Sequence, residues 1–449
     1  MPADLSTVPV WTFLTVLTLA GAGVSAAEPA APAAPQPAAG HSYHGESFNE
    51  GPRQRAYLMG NTGLISFPAT TASAETQQFI NQGVGQLHGF WYYEAERSFR
   101  QAAKLDPQCA IAYWGMALAN TNNSKRAKGF LAEAVKRKSG VGERERMYID
   151  ALEAFYNAES KGKDKDKERH DAYAAALERI LYKFPEDVDA RSWLGLQLWL
   201  NRQHQSPLTS HLAVDALFQE VFAVQPMHPC HHYRIHLFDD GEVRAKIAVT
   251  SAARCGQAAP GIAHMWHMSG HIFSDLKRYA DAAWQQEASA RVDHAYMLRD
   301  HILPDQIHNY AHNNEWLIRD LSHIGRVRQG LALARNLIEI PRHPKYNTLS
   351  GGSASFGRMR LFEVLSRYEL WDELIALCDS PYLEPTDNPA EQVKRLRFLA
   401  TARLRQGNVA QGLALIAQLQ ERLSRERYRL NLADAAPPGL ELAAGAGPI

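Results

Sequence analysis

The chain has 449 residues, of which 45% are hydrophobic and 21% are charged, a composition typical of folded globular proteins. Its 48 lysine and arginine residues equal its 48 aspartate and glutamate residues in number, and this balance excludes the strong basic excess of a protein that mainly binds nucleic acid. The length suits either several ordinary domains or one extended array of repeats.

Residues 1–27 predict an export signal. After Asp4 they carry no charge and are mostly apolar, and the triplet 24–26 (Val-Ser-Ala) resembles a cleavage site. No lysine or arginine precedes the apolar stretch, unlike in a usual signal peptide, so an uncleaved membrane anchor is the alternative. Both readings predict a protein exported to the periplasm or the extracellular space, with no membrane contact beyond this segment.

The next segment, residues 28–73, is rich in alanine, proline, glycine and serine, and its first part, 28–40, reads EPAAPAAPQPAAG. This composition predicts a disordered linker. Residues 431–449 lack the start and stop signals of a helix, so we expect a disordered C-terminal tail there. The folded domain is therefore predicted to span residues 74–430.

Within the predicted domain, apolar residues recur at helical spacing, and runs that alternate at period two are nearly absent, which predicts an all-α fold. Near its start, Gly83 is followed twelve positions later by Ala95, and then by Phe99, Ala102 and Pro107. Small residues at this spacing let two antiparallel helices approach closely, and the proline ends one hairpin before the next begins.

Later segments repeat parts of this pattern. Gly270 and Ala282 are also twelve residues apart, and the segments 325–333 (GRVRQGLAL) and 407–415 (GNVAQGLAL) are nearly the same. We therefore expect an α-solenoid of about six to eight antiparallel helical hairpins. Because the spacing departs widely from a regular repeat, we expect the middle of the array to curl into a compact bundle.

The segment 79–117 (FINQGVGQLHGFWYYEAERSFRQAAKLDPQCAIAYWGMA) resembles tetratricopeptide repeat (TPR) proteins. It is similar above all to exported bacterial proteins of this type that have a histidine-rich middle region. Those proteins carry a His–X3–His helix, matched here by His267 and His271, and a histidine pair upstream, matched here by His232 and His236. The resemblance implies a scaffold that binds a protein, a peptide or another ligand, and it implies no particular reaction.

Twelve of the nineteen histidines lie between residues 228 and 323. Residues four apart are neighbours on one face of a helix, so a histidine pair at this spacing can bind one metal ion through two imidazoles. Three such pairs occur in successive segments, which predicts a site for copper or zinc. The candidate ligands are His232, His236, His267, His271, His308 and His312.

Other side chains near these pairs are candidates to complete or orient the site. His264 lies three residues before His267, close to the same helix face, and Met265 and Met268 would favour Cu(I) if they point inward. The glutamate that follows the first histidine of a zinc-protease helix is absent, since Met268 stands there. The acidic candidates, as ligands or as acceptors that orient an imidazole, are Asp239, Asp240, Asp305 and Glu315.

Two alternatives to a simple metal-binding protein stay open. The histidines could form a metal-free hydrogen-bonded network inside a scaffold for a protein or peptide partner, or the metal site could belong to an oxidase or hydrolase with an open coordination position. The sequence contains neither a phosphate-binding loop with its lysine nor a G-x-S-x-G nucleophile elbow at a strand-to-helix turn. Neither of these chemistries is therefore predicted. Cys230 and Cys255 could form a disulfide or equally remain buried free thiols.

Overall fold

A computed structural model of the protein describes residues 55–157, 165–304, 307–344 and 347–429. These residues form helices and no β-strand, apart from one isolated bridge between His343 and Asn347. The predicted export signal and the predicted C-terminal tail lie outside the described residues. Among the helices that are described, none is both long and apolar enough to cross a membrane.

Eighteen α-helices make up the described part of the chain. They are α1 (Ala74–His88), α2 (Tyr92–Leu105), α3 (Ala110–Leu118), α4 (Ser124–Arg137), α5 (Glu143–Asn157), α6 (Lys165–Lys183), α7 (Val188–Asn201), α8 (His211–Val224), α9 (His231–Phe238), α10 (Glu242–Ala258), α11 (Ala263–Asp275), α12 (Tyr279–Asp300), α13 (His308–His323), α14 (Val327–Glu339), α15 (Ser353–Arg367), α16 (Trp371–Cys378), α17 (Pro389–Arg405) and α18 (Val409–Arg429).

Each of these helices packs against the next one in the chain. Most odd-numbered helices also contact the next odd-numbered helix, as α7 does with α9, α9 with α11, and α11 with α13. This is the arrangement of an α-solenoid, in which the first helix of each hairpin lies in a continuous inner row. The all-α array of helical hairpins expected from the sequence is thereby confirmed.

The first hairpin shows why its small residues recur at fixed spacing. The ring of Phe99 in α2 lies against Gly83 in α1 and Gly115 in α3, and a Cβ atom at these glycines would come within 2.7 Å and 2.4 Å of it. Real Cβ atoms do not approach that closely, so only glycine admits the ring at both positions. The phenylalanine thus joins three successive helices through a single buried side chain.

The array curls back on itself between its first and its middle hairpins. The ring of Trp91 meets the ring of Tyr296 in α12 edge to face, with centroids 5.0 Å apart, and the hydroxyl of Tyr296 donates a hydrogen bond to Glu94 at 2.5 Å. One hydrophobic core accordingly runs from Ala56 to Ile307. The compact middle expected from the irregular repeat spacing is present, and it places α1 beside α9.

Residues 55–73 differ from the disordered linker predicted from composition. They run without helix along the first hairpins, and Phe67 is fully buried, stacked on Trp114 with centroids 5.5 Å apart. The backbone N–H of Phe67 also donates to the side chain of Asn81 at 3.1 Å. Burying one phenylalanine stabilises the folded state by about 1.5–3 kcal/mol. A prediction from composition, dominated here by alanine and proline, does not detect this single buried residue. The rest of the predicted linker, up to residue 54, lies outside the described residues.

All four cysteines, Cys109, Cys230, Cys255 and Cys378, are buried free thiols. Burial raises the pKa of the Cys255 thiol well above its ordinary value. Of the two possibilities left open for Cys230 and Cys255, the structure therefore has the free thiols and no disulfide.

Candidate metal centre

Six histidines on the inner row of helices form two groups. We call His232, His236 and His264 histidine group 1, and His267, His271 and His312 histidine group 2. Within each group, one ring nitrogen from every member lies within 4.8 Å of the others. Each group consists of a pair four residues apart on one helix and a third histidine from the next helix of the inner row, namely α11 for group 1 and α13 for group 2. The two groups therefore have the same construction.

The pair in histidine group 2 has a defined hydrogen-bonding state. Nδ1 of His267 lies 2.7 Å from the side-chain oxygen of Gln286, and Nδ1 of His271 lies 2.8 Å from a carboxylate oxygen of Asp239. Both oxygens can only accept a hydrogen bond, so each Nδ1 carries a proton, and in the neutral form of each ring Nε2 then presents a lone pair. The two Nε2 atoms face each other at 2.8 Å.

Gln286 is held in place by a close approach of α12 to α11. Its amide N–H donates to the backbone carbonyl of His267 at 3.2 Å, which turns the amide oxygen toward the imidazole. The approach requires a glycine at position 270, because a Cβ there would lie 2.2 Å from the amide nitrogen of Gln286. Gly270, which marks a repeat in the sequence, thus also orients a candidate ligand.

The third member of histidine group 2, His312, is oriented by a buried carboxylate. Nδ1 of His312 lies 3.3 Å from Glu315, one turn further along α13. Glu315 also forms an ion pair with Arg360. Burial alone would raise the pKa of Glu315, but the hydrogen bond from His312 and the Arg360 charge outweigh burial and lower it. All three imidazoles in group 2 therefore have an oxygen partner at Nδ1, the usual support of histidines that bind metal through Nε2.

Histidine group 1 repeats part of this pattern. Nδ1 of His232 donates to the backbone carbonyl of His88 at 2.7 Å, and its Nε2 lies 3.0 Å from Nε2 of His236. Burial, reinforced by neighbouring histidines, lowers the pKa of both His232 and His236 well below the ordinary 6.5. The same holds for His267 in group 2. These rings are thus neutral near pH 7, the form that binds metal.

The two groups are adjacent because α11 contributes to both. The ring centroids of His264 in group 1 and His267 in group 2 are 5.7 Å apart, and His236 and His264 are 6.2 Å apart. Both groups face one cavity of about 700 Å³, which His236, His264, His267, His271 and His312 help to line. The arrangement can hold two ions side by side at the wall of a cavity.

A third group of possible ligands, made of His88, Asp189 and His228, is a hydrogen-bonded network instead. Nδ1 of His228 accepts the backbone N–H of Cys230 at 3.1 Å, so its Nε2 carries a proton and points toward Asp189 at 3.5 Å. His88 lies 2.8 Å from the same carboxylate through Nε2 and 3.0 Å from the hydroxyl of Tyr233 through Nδ1. Protons account for both contacts of His88, and they join the last residue of α1 to Asp189 in α7 and Tyr233 in α9.

The structure brings together five of the six histidines predicted as ligands: His232, His236, His267, His271 and His312. The side chain of His308 and the whole of Asp305 lie outside the described residues. Asp240 pairs with Arg244 at the surface, away from the histidines, whereas Asp239 and Glu315 orient imidazoles.

Sequence reasoning missed two contributions to this region and named a third only as a secondary candidate. His264, noted for its position three residues before His267 but not counted among the six predicted ligands, completes histidine group 1. Gln286 has no sequence signal, since it lies nineteen residues from the ring that it contacts. The His88–Asp189 contact joins residues 101 positions apart, which no local spacing can reveal.

Comparisons with known proteins bear on the fold only. No model of a known protein family matches the chain, and no curated protein sequence matches it. Similar solved structures include the TPR domain of P58(IPK), 15% identical over 81% of this chain and 100% of that chain, with a TM-score of 0.20. Human IFIT1, solved as a dimer with m7Gppp-AAAA, is 12% identical over 79% of this chain and 91% of its own, with a TM-score of 0.28.

Yeast Tom70 is also similar, at 12% identity over 78% of this chain and 93% of its own, with a TM-score of 0.25. TM-scores this low say nothing about ligands, partners or reactions of this chain. The paired helices, the inner row of odd-numbered helices and the packing of Phe99 between Gly83 and Gly115 are the features of a tetratricopeptide-like protein.

Proposed function

We propose that the protein binds two transition-metal ions, copper or zinc, through histidine groups 1 and 2. The donor atoms that face each other are imidazole nitrogens, which suit copper and zinc, whereas calcium and magnesium prefer oxygen ligands. The single observation that carries the proposal is the His267–His271 contact, in which the two Nε2 atoms face each other at 2.8 Å while each Nδ1 keeps an oxygen partner.

Two lone pairs at this distance repel each other unless a proton or a metal ion lies between them. A neutral pair would need one ring to move its proton to Nε2, and this would leave the oxygen of Gln286 or Asp239 without its donor, at about 1–3 kcal/mol for a buried group. Protonation of His267 is opposed by burial, which lowers its pKa. A metal ion satisfies both nitrogens and keeps both oxygen contacts.

The geometry needs only a small adjustment to accept an ion. Zinc binds histidine nitrogen at about 2.0–2.1 Å, and tetrahedral bond angles then set two ligand nitrogens about 3.3–3.4 Å apart. The 2.8 Å and 3.0 Å separations in the two histidine pairs are slightly shorter. Small rotations of the rings open them to the required distance.

Three protein ligands per ion leave at least one coordination position for water or substrate. Structural zinc sites use four protein ligands, whereas catalytic zinc sites use three and keep one position open. The proposed ions therefore serve catalysis, as in a metal-dependent oxidase or hydrolase. The charge-free, mostly apolar residues 5–27 support an exported protein, in which such a site would load in the periplasm or outside the cell.

The test is the metal content of protein purified without an affinity tag, stripped with a chelator and dialysed against Cu(II) or Zn(II). We expect about two ions per chain for the wild type and a loss of at least one in the double variant His267→Gln/His271→Gln. The matched control is His294→Gln/His323→Gln, because both residues are exposed and lie outside the two groups. Circular dichroism shows whether each variant remains helical.

Metal-free wild-type protein after this loading, or equal metal content in the two double variants, would contradict the proposal. In that event His267 and His271 would form a proton-linked pair in a purely structural network.

The second candidate function is a scaffold for a protein or peptide partner, which helical-repeat arrays commonly provide. The observation in its favour is a set of exposed apolar side chains on outer helices, with Val243 81% exposed on α10 and Trp284 60% exposed on α12. Metal analysis separates the candidates, because a scaffold of this kind needs no bound ion.

A further inference from the structure

The cavity beside the histidine groups has predominantly aromatic walls. Phe90, Tyr92, Phe155, Tyr173 and Trp199 are among the side chains that line it. They come from α2, α5, α6, α7 and the loop after α1, so the curling of the array is what encloses the cavity. A volume of about 700 Å³ suits an organic molecule of ordinary ligand size. Aromatic walls favour a flat ring, which gains from offset and edge-to-face contacts beyond simple burial.

The charges around the cavity favour a ligand without positive charge. No aspartate or glutamate is among the described residues that line it, and Arg169 is the one lysine or arginine among them. The guanidinium of Arg169 lies over the ring of Phe155, 4.9 Å from its centroid, and pairs with Asp166 at 3.0 Å. An ammonium group would find no carboxylate here and would be repelled by Arg169 and by the proposed metal ions, so the ligand is neutral or carries negative charge where it meets the metal.

Tyr173 supplies a hydrogen-bonding group within this apolar wall. It is only 7% exposed, lines the cavity and makes no hydrogen bond with another described residue. Burial raises the pKa of Tyr173 above its ordinary value, so the hydroxyl keeps its proton. This hydroxyl can therefore donate a hydrogen bond to a polar atom of a molecule bound in the cavity.

Five members of the two histidine groups line what we call the metal end of the cavity, where the ring of Trp199 lies 5.0 Å from that of His236. A metal ion with an open position binds oxygen ligands and lowers the pKa of a bound hydroxyl group. A phenol combines the two features that the cavity can recognise, namely a flat aromatic ring and an acidic hydroxyl group.

We propose that the cavity binds a phenol-class molecule, with its ring among the aromatic side chains and its oxygen at the open coordination position. This inference rests on the proposed metal function and names the class of substrate that the site would take. The bicyclic phenol 2-naphthol fits the volume and serves as the probe. Its saturated analogue, decahydro-2-naphthol, has the same carbon skeleton and hydroxyl group without the flat ring.

The experiment uses the full chain loaded with Co(II), whose visible absorption reports on a histidine-bound ion. Calorimetric titration gives the affinity for each alcohol, and the cobalt spectrum shows whether its oxygen reaches the metal. We expect 2-naphthol to bind about 10-fold or more tightly than the saturated alcohol, since each aromatic contact contributes about 0.5–1.5 kcal/mol. We also expect 2-naphthol to shift the cobalt absorption.

Two variants test the place of binding. Leu196→Trp fills the cavity from α7 and should abolish naphthol binding while cobalt uptake remains. Its control is Leu212→Trp, because Leu212 is 67% exposed on α8 and lies outside the cavity. Phe155→Leu removes one aromatic side chain from the cavity wall. It should weaken 2-naphthol about 3- to 10-fold through the lost aromatic contact and leave decahydro-2-naphthol unaffected, which keeps the test decisive if Leu196→Trp does not fold.

The outcomes separate this inference from the proposed function. A protein that takes up cobalt but binds the two alcohols equally, or binds 2-naphthol as well in a folded Leu196→Trp variant, overturns the present inference alone. A protein that takes up no cobalt contradicts the metal function and with it the placement of the phenol oxygen.

Discussion

Asp239 and Asp240 are adjacent in sequence, but only Asp239 contacts a candidate metal ligand. Substituting each in turn therefore tests whether that contact supports metal binding. Asp239 accepts the Nδ1 proton of His271 at 2.8 Å, whereas Asp240 pairs with Arg244 at the surface. Replacing the residue that orients a metal-bound histidine typically lowers metal affinity 10- to 100-fold. We therefore expect Asp239→Asn to lower zinc affinity by about 10- to 100-fold, measured by competition with a chromogenic chelator.

The control is Asp240→Asn, for which we expect wild-type affinity because its carboxylate is 67% exposed and touches no imidazole. Equal affinities in the two variants would show that Asp239 does not act through His271, and the tautomer assigned to that ring would then be wrong.

A buried acid on α12 makes the stability of the protein depend on pH. Burial raises the pKa of Asp293 to about 8, although a hydrogen bond from Asn313 at 2.9 Å lowers it somewhat. The folded protein holds this proton up to pH 8, whereas the unfolded chain loses it near pH 4. Between these values the folded state binds more protons, so stability falls as pH rises, by up to about 1.4 kcal/mol per pH unit.

Asp293→Asn replaces the titrating acid by a side chain that does not titrate. The free energy of unfolding of the wild type should fall as pH rises from 5 to 8, and we expect that of the variant to fall less over the same range. Urea unfolding at several pH values measures the difference. Asp281→Asn on the same helix is the control, since its carboxylate is half exposed and pairs only with Arg278. A difference between Asp293→Asn and the wild type that stays constant over this range would show that Asp293 is ionised in the folded protein.

At the level of helices, sequence patterns predicted which side chains share one face of a helix. They did not predict which side chains meet across two helices. The spacing of His267 and His271 follows from the helical repeat alone, so their shared face could be predicted. The partner that completes each pair depends on where the next helix crosses, which sets His264 beside α9. Spacing along the chain contains no information on that crossing, and Gln286 was invisible for the same reason.

The packing of Phe99 predicts opposite effects for two glycine substitutions. In Gly115→Ala the new Cβ would lie 2.4 Å from the Phe99 ring, so we expect a loss of about 1–3 kcal/mol in the free energy of unfolding. In Gly129→Ala, an exposed position in α4 with nothing within 4 Å, we expect a gain of about 0.5–1 kcal/mol, because alanine favours the helix. Urea unfolding measures both, and a Gly115→Ala variant that is as stable as the wild type would show that Phe99 packs elsewhere.

On the scale of the whole molecule, local periodicity sufficed for the array, because every helix packs against its neighbour in the chain. The closure of the array was expected only in general terms, since it depends on contacts between distant residues. Tyr296 and Glu94 are 202 positions apart, and Tyr57 reaches Asp300 across 243 positions. This closure encloses the aromatic cavity and brings the backbone carbonyl of His88 to His232. The site therefore depends on the packing of the first hairpins against the middle ones.

Metal binding should therefore stabilise the whole array. Histidine group 1 joins α9 to α11, histidine group 2 joins α11 to α13, and the unfolded chain holds neither group together. An ion at 100 times its dissociation constant raises the free energy of unfolding by about 2.7 kcal/mol per site. We expect Zn(II) to shift the urea midpoint of the wild type upward, at an unchanged slope, and to shift that of His267→Gln/His271→Gln by at most half as much. An equal shift in both proteins would place the stabilising ion outside the His267–His271 pair, and histidine group 2 would then have to be regarded as part of the scaffold.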